Sequence, residues 1–427
     1  MSLSASTRTA RNHEPPYRRF FATLGPGLIT GAADDDPSGI STYSVAGAAF
    51  GYAPLWTALF SFPLMAAIQL MCARLGMVTG LGLAGVIRRR YPPWVLWSSC
   101  ALLGVANTIN IAADLGGMAE ATRLATGISA AVSVPLYAAA LTSALVWTSY
   151  RAIARIFKWL TLVLGAYIVT AFLAKVDWPM ALYATLVPRV QLTREFFAVL
   201  VGVFGTTISP YLFFWQAAQE VEEERAMGRT LRQRQGATPQ ELRNCRTDVV
   251  TGMFASNLVM YFIILTTAET LHARGLTNIT TAREAAEALR PLAGNGAYWL
   301  FTLGIIGTGI LAVPVLAGSC AYAVAEAAMW RHGSLASPPR RARKFYGVMV
   351  VAMFLGMALD YAGFNAIRLL FVTAVINGVL APPLVLLIVL LTANRDVMGE
   401  AANSRWLTGL GWATFITMTV AALGLLL

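Results

Sequence analysis

The stretch Gly31-Ala32-Ala33-Asp34-Asp35-Asp36-Pro37-Ser38-Gly39 decides how this chain folds. It lies inside an apolar run, residues 20–50, and a membrane-crossing helix needs about 20 such residues. Three adjacent carboxylates in hydrocarbon are costly unless a cation, a proton or water offsets their charge. Pro37 and Gly39 stop a helix beside them: proline has no N–H to give and collides with the preceding turn, and glycine weakens helix formation. A helix that breaks at carboxylates in mid-membrane frees carbonyl oxygens next to fixed negative charge, which is how a transporter builds a cation site.

The composition fits a polytopic membrane protein. Of 427 residues, 57% are apolar and 12% charged, with a mean hydropathy of +0.62; water-soluble domains carry about 25% charged residues. A net charge of +11 would point a soluble protein towards nucleic acid, but here the basic residues cluster in loops between apolar runs. No nucleic-acid partner is expected; membrane lipid is. Cys72, Cys100, Cys245 and Cys320 share no metal-ligand spacing and read as small apolar or loop residues. His13, His272 and His332 fall outside the apolar runs, which argues against a histidine metal site in the membrane. Residues 1–19 are polar and basic without an apolar core and cleavage site, and read as a cytoplasmic tail.

Eleven spans are expected, at 20–50, 53–76, 93–123, 130–147, 153–173, 196–219, 249–271, 296–328, 346–359, 367–392 and 406–427, forming one transmembrane domain from 20 to 427. With the N-terminus in the cytoplasm, inner segments hold 23 Lys and Arg and outer segments 8. That asymmetry supports the count and an outside C-terminus; a plasma (inner) membrane location is expected. Glu220, Glu222, Glu223 and Glu224 read as the charged start of a cytoplasmic loop, Asp248 and Glu269 as solvated span ends, and 281–289 as a short surface helix.

The sixth span shares the irregularity of the first. It carries Gly202 and then Gly205-Thr206-Thr207-Ile208-Ser209-Pro210, again Pro and Gly among polar side chains, five spans on. Paired interruptions in two halves point to an inverted-repeat transporter with its substrate between the breaks at Pro37, Gly39, Gly205 and Pro210. An intramembrane-enzyme reading finds little support: it needs a nucleophile with a base, or a histidine-held metal, and no span contains His.

With Gly25-Pro-Gly-Leu-Ile-Thr-Gly31, Asp36-Pro37-Ser38-Gly39, Ala113-Asp114-Leu115 and Gly205-Thr-Thr-Ile-Ser-Pro-Tyr211, the chain resembles the natural resistance-associated macrophage protein (Nramp) family of divalent-metal transporters from about Arg18 onward. The resemblance implies an all-α, leucine-transporter-type fold: two inverted five-helix repeats, 20–174 and 195–393, and an extra helix, 406–427. Carried over residue by residue, the family's metal-binding Asp falls on Asp36, and its Asn ligand is lost at Gly39. Its carbonyl ligand falls on Thr206, and its Met thioether is replaced by Ser209. Two sixth-span histidines become Tyr211 and Gln216. The third-span proton-pathway Asp matches Asp114, whereas the Glu three residues on becomes Gly117 and the nearest carboxylate is Glu120.

These departures have a chemical direction. A thioether favours soft transition metals; a hydroxyl in its place, with Asp34 and Asp35 added, leaves an all-oxygen site suited to Mg²⁺ or Mn²⁺, partly hydrated. The pattern is similar to Nramp-related magnesium transporters, which also lack the Met. Asn377 in the tenth span is a further candidate ligand, as are Thr207 and Ser38. Asp114 and Glu120 are the candidates for a proton or coupling pathway, each with the plainer alternative of a packed carboxylate, held by a hydroxyl or by Arg123. The lost histidines favour transport driven by the metal's own gradient. No cofactor is expected beyond the metal as substrate, and a monomer is the default. The rival expectations are an organic-solute or amino-acid transporter of the same fold, against which the three Asp argue, and a cation channel.

Overall fold

The computed structural model describes residues 25–147, 162–230 and 233–427. The expected tail, the start of the first span and the start of the fifth, with Arg151, Arg155 and Lys158, lie outside the described residues. The described chain is helical. Its long helices are α1 (Pro26–Asp34), α2 (Pro37–Phe50), α3 (Trp56–Thr79), α4 (Pro93–Thr126), α5 (Ala130–Trp147), α6 (Gly165–Leu173), α7 (Arg194–Thr207), α8 (Pro210–Ala226), α9 (Pro239–Thr270), α10 (Ala297–Ala327), α11 (Arg343–Asp360), α12 (Ala366–Ala393) and α13 (Arg405–Leu423). Among the described residues, eight segments are long and apolar enough to cross a membrane. The other three expected spans correspond to the split pair α1 and α2, to α6, and to α11.

Both breaks form beside Pro37 and Pro210, but Gly39 lies inside α2 and Gly205 inside α7, where it makes a close helix contact and not a break. Each break leaves two residues between half-helices, Asp35 and Asp36 in one, Ile208 and Ser209 in the other. Each second half starts with proline at its first turn, where a missing N–H costs nothing and the fixed φ suits the helix. The broken pairs sit at the centre, enclosed by α4, α9, α10 and α12. Close approach is made by glycines. Gly31 of α1 lies directly against the backbone of Gly252 in α9, and Gly205 of α7 against Ala374 and Gly378 of α12, so a Cβ at either glycine would overlap backbone atoms.

Three expected boundaries move. α9 begins ten residues before the expected 249 because Thr238 and Glu241 form a reciprocal capping box around Pro239. α8 continues to Ala226, so Glu220, Glu222 and Glu224 are buried in the helix and do not open a solvated loop. The outer surface helix appears at Ala282–Glu287, yet Ala282, Ala285 and Ala286 are buried. Two short helices, Leu83–Arg90 and Trp178–Leu186, were not anticipated. All four cysteines are free and buried.

Candidate functional site

Asp34, Asp35 and Asp36 are 0%, 5% and 2% exposed, so the carboxylates are sealed inside the helix bundle. Asp36 is the N-cap of α2, its Oδ1 accepting from the Gly39 amide at 2.7 Å and from the Ser38 hydroxyl at 2.7 Å. Its Oδ2 accepts from Asn110 Nδ2 of α4 at 3.1 Å and from the Tyr211 hydroxyl at 3.3 Å. Tyr211 also donates to the Ala33 carbonyl at 3.1 Å, a carbonyl in the last turn of α1. One tyrosine at the start of α8 thus bridges both sides of the first break and ties the two breaks together. Ser256 of α9 donates to Asp34 Oδ2 at 2.6 Å and lies 3.1 Å from Asp35 Oδ1, and Asp34 Oδ1 is left without a partner.

The second break is arranged differently. Ser209 turns its hydroxyl back on α7, donating to the Thr206 carbonyl at 2.5 Å and to the Gly205 carbonyl at 2.9 Å. The Thr206 hydroxyl donates to Val203 and Gly202 carbonyls, and Thr207 to Val203. The oxygens that face away from the helix are therefore the second lone pairs of the carbonyls and of Ser209. Asp114 is fully buried on α4, and its oxygens, which face the first turn of α2 at Ser38, make no hydrogen bond of good geometry. Asn377 is buried in α12, next to the Gly378 that meets α7, and no hydrogen bond joins its amide to the Asp cluster among the described residues. Glu120 stands apart: it is paired with Arg123 at 2.9 Å and lines a cleft of about 230 Å³ with Asp360 and Asn365.

Asp248, expected to be solvated, is 3% exposed. Its carboxylate accepts from the amides of Gly25, Gly27 and Leu28 at 2.8, 2.7 and 3.1 Å, so it caps the start of α1 from α9. A buried helix N-terminus needs acceptors for its free N–H groups and favours negative charge, which is why a carboxylate is stable there. Glu269, expected to be solvated too, is half-buried and accepts from the Tyr52 hydroxyl at 2.5 Å. α1 is further zipped to α8 by Thr30, which donates to Gln216 Oε1 at 2.5 Å; Gln216 Nε2 in turn donates to Glu220 at 2.9 Å.

Two spaces flank the cluster at opposite ends. Beyond α2 there is room for about 10 Å³ among Ser41, Ser44, Gly117, Phe301, Ile305 and Leu370. Beside the far end of α8 a vestibule of about 600 Å³ is lined by Arg88, Arg89, Glu222, Arg225, Glu326 and Trp330 among others. No three His, Cys, Asp or Glu side chains converge closely enough to hold a metal ion by themselves, among the described residues. Any cation here would draw on hydroxyl, amide and carbonyl oxygens and on water as well as carboxylate.

Comparison with known proteins places these features. Residues 27–427 match the family described as natural resistance-associated macrophage protein-like. Similar proteins include the divalent metal cation transporter MntH of Yersinia pestis (strain Pestoides F), 30% identical with 91% of each chain covered. That of Deinococcus radiodurans is 28% identical, with 92% of this chain and 87% of the relative covered. A crystal structure of the Eremococcus coleocola manganese transporter shares the fold, with a TM-score of 0.76 at 19% identity over 96% of this chain and 87% of that one. The nucleobase-cation-symport-1 transporter Mhp1, in a closed conformation, matches at a TM-score of 0.52 and 14% identity over 94% of this chain and 90% of that one. Two helix breaks joined across a buried aspartate cluster, on a chain matched over nearly its whole length, make this protein a member of the Nramp family.

Proposed function

We propose that this protein is a secondary transporter that carries a hard divalent cation, Mg²⁺ or Mn²⁺, across the plasma membrane by alternating access. The observation that carries this reading is the Asp36 carboxylate held between the two breaks by Ser38, Gly39, Asn110 and Tyr211. The names of the relatives, divalent metal cation and manganese transporters, agree with it and give no ground for an enzyme. The donors around Asp36 and Asp34 are all oxygen, with Ser209 where a soft ligand would stand, which favours hard cations that keep part of their water. Asp34, Asp35, Thr206 and Ser209 complete the proposed donor set, Asn377 joins it on rearrangement of α12 against α7, and Asp114 is the remaining carboxylate for coupling.

The vestibule of about 600 Å³ opens to the cytoplasm in this reading and the space of about 10 Å³ marks the closed outer path. Glu120, held by Arg123 at the outer end, takes no part in the site. Transport runs down the metal's gradient without a proton. Purified protein in liposomes should take up Mg²⁺ or Mn²⁺, and Asp36→Ala should abolish uptake; normal uptake by Asp36→Ala would overturn the site. A trapped pH dye should stay unchanged during uptake, and clear acidification would reject the uncoupled mechanism.

A further inference from the structure

Helix α4 carries a column of polar side chains in which Asn107 bonds to Leu316 and Ser319 of α10, while Asn110 and Asp114 meet the first break. Asn107, Asn110 and Asp114 lie at spacings of three and four, which stacks them on one face over about 10 Å. All three are at most 1% exposed. Each keeps oxygen without a good hydrogen bond: Oδ1 of Asn107, Oδ1 of Asn110 and both oxygens of Asp114. Buried acceptors in a native protein nearly always have a partner, so a column of open ones marks a place where something else supplies donors or positive charge.

Asn110 is the informative member. Its Nδ2 donates to Asp36 Oδ2 at 3.1 Å, and this fixes the amide, because the reverse orientation would set its carbonyl oxygen against a carboxylate oxygen. Oδ1 is then the atom left over, a pure acceptor beside the proposed cation site. Asp36 already receives hydrogen bonds on both oxygens, and Ser209 spends its proton on Thr206. The neighbourhood holds many acceptors; the Tyr43 hydroxyl is buried there without a partner, and no hydrogen bond joins it to Asn110 among the described residues. Water bound to a divalent cation is a strong donor and is the species that such a carbonyl fits.

We propose that Asn110 is a specificity-determining residue of the cation site, its Oδ1 accepting a hydrogen bond from water that the cation retains. It selects the cation that dehydrates reluctantly, Mg²⁺, over Mn²⁺. This rests on the cation-site reading above. The test is isothermal titration of the full-length protein with Mg²⁺ and with Mn²⁺. Asn110→Leu, similar in size and without an acceptor, should weaken Mg²⁺ binding about tenfold and Mn²⁺ less than about threefold, the loss of one charge-assisted hydrogen bond. Asn110→Ser, which restores an oxygen, should recover most of the Mg²⁺ preference. If Asn110→Leu does not fold, Asn110→Ala replaces it with the same expectation. An unchanged ratio of the two affinities, or equal weakening of both, overturns the role of Asn110 while leaving the site intact. Wild-type protein that binds neither metal, or binds them no better than Asp36→Ala, overturns the site itself.

Discussion

On the proposed reading, Ser209 sets the chemistry of the second break. Its hydroxyl occupies one lone pair of the Thr206 carbonyl, and that carbonyl is the oxygen that the break makes available. Ser209→Met should release the carbonyl and add a thioether, and titration should show the preference moving from Mg²⁺ towards a soft cation such as Cd²⁺ by about tenfold or more. An unchanged preference would remove Ser209 from the donor set. The two breaks beside Asp36 and between Thr206 and Pro210 were legible in the sequence because proline and glycine stand there among polar side chains; proline alone is no signal, since Pro63, Pro135 and Pro314 lie inside continuous helices. Asn110 was not, since a lone Asn in an apolar helix carries no such punctuation; its signal was the shared face with Asn107 and Asp114. Asp248 was illegible for a different reason. It caps a helix that lies more than 200 residues away in sequence, and nothing local reveals that partner.

At the scale of elements, α1 is the half-helix whose attachment is most exposed to a single change. Its start hangs on Asp248 and its middle on Gln216, while Gly31 and Gly252 bring its backbone against α9. Asp248→Ala leaves three amides at a buried helix start without an acceptor, at a cost of about 3 kcal/mol. Hydrogen exchange at residues 25–30 should then accelerate by roughly a hundredfold, and Asp248→Asn should lie between. Unaltered exchange would mean that the glycine contact alone holds α1. The breaks and long helices were readable from apolar length and Pro and Gly, whereas the extension of α9 to Pro239 came from a capping box inside a charged segment, where apolarity gives no ruler.

For the whole molecule, the orientation expected from the basic residues is testable with thiols. The four native cysteines are buried, so labelling of the unaltered protein in vesicles should be low. Arg88→Cys, beside the vestibule, should react with an impermeant thiol reagent only from the cytoplasmic face, and Arg283→Cys, near the opposite end, only from outside. The reverse pattern would invert the topology. The two spaces of about 600 and about 10 Å³ also have an electrical consequence. In the proposed orientation a water-filled vestibule conducts, so little of the membrane voltage falls across it, and the field concentrates on the narrow seam beyond α2. A dication does its electrical work there, about 4.6 kcal/mol at 100 mV for two charges. On the proposed transport reading, passage of the cation through that outer seam, and not its release into the vestibule, is the step on which voltage acts.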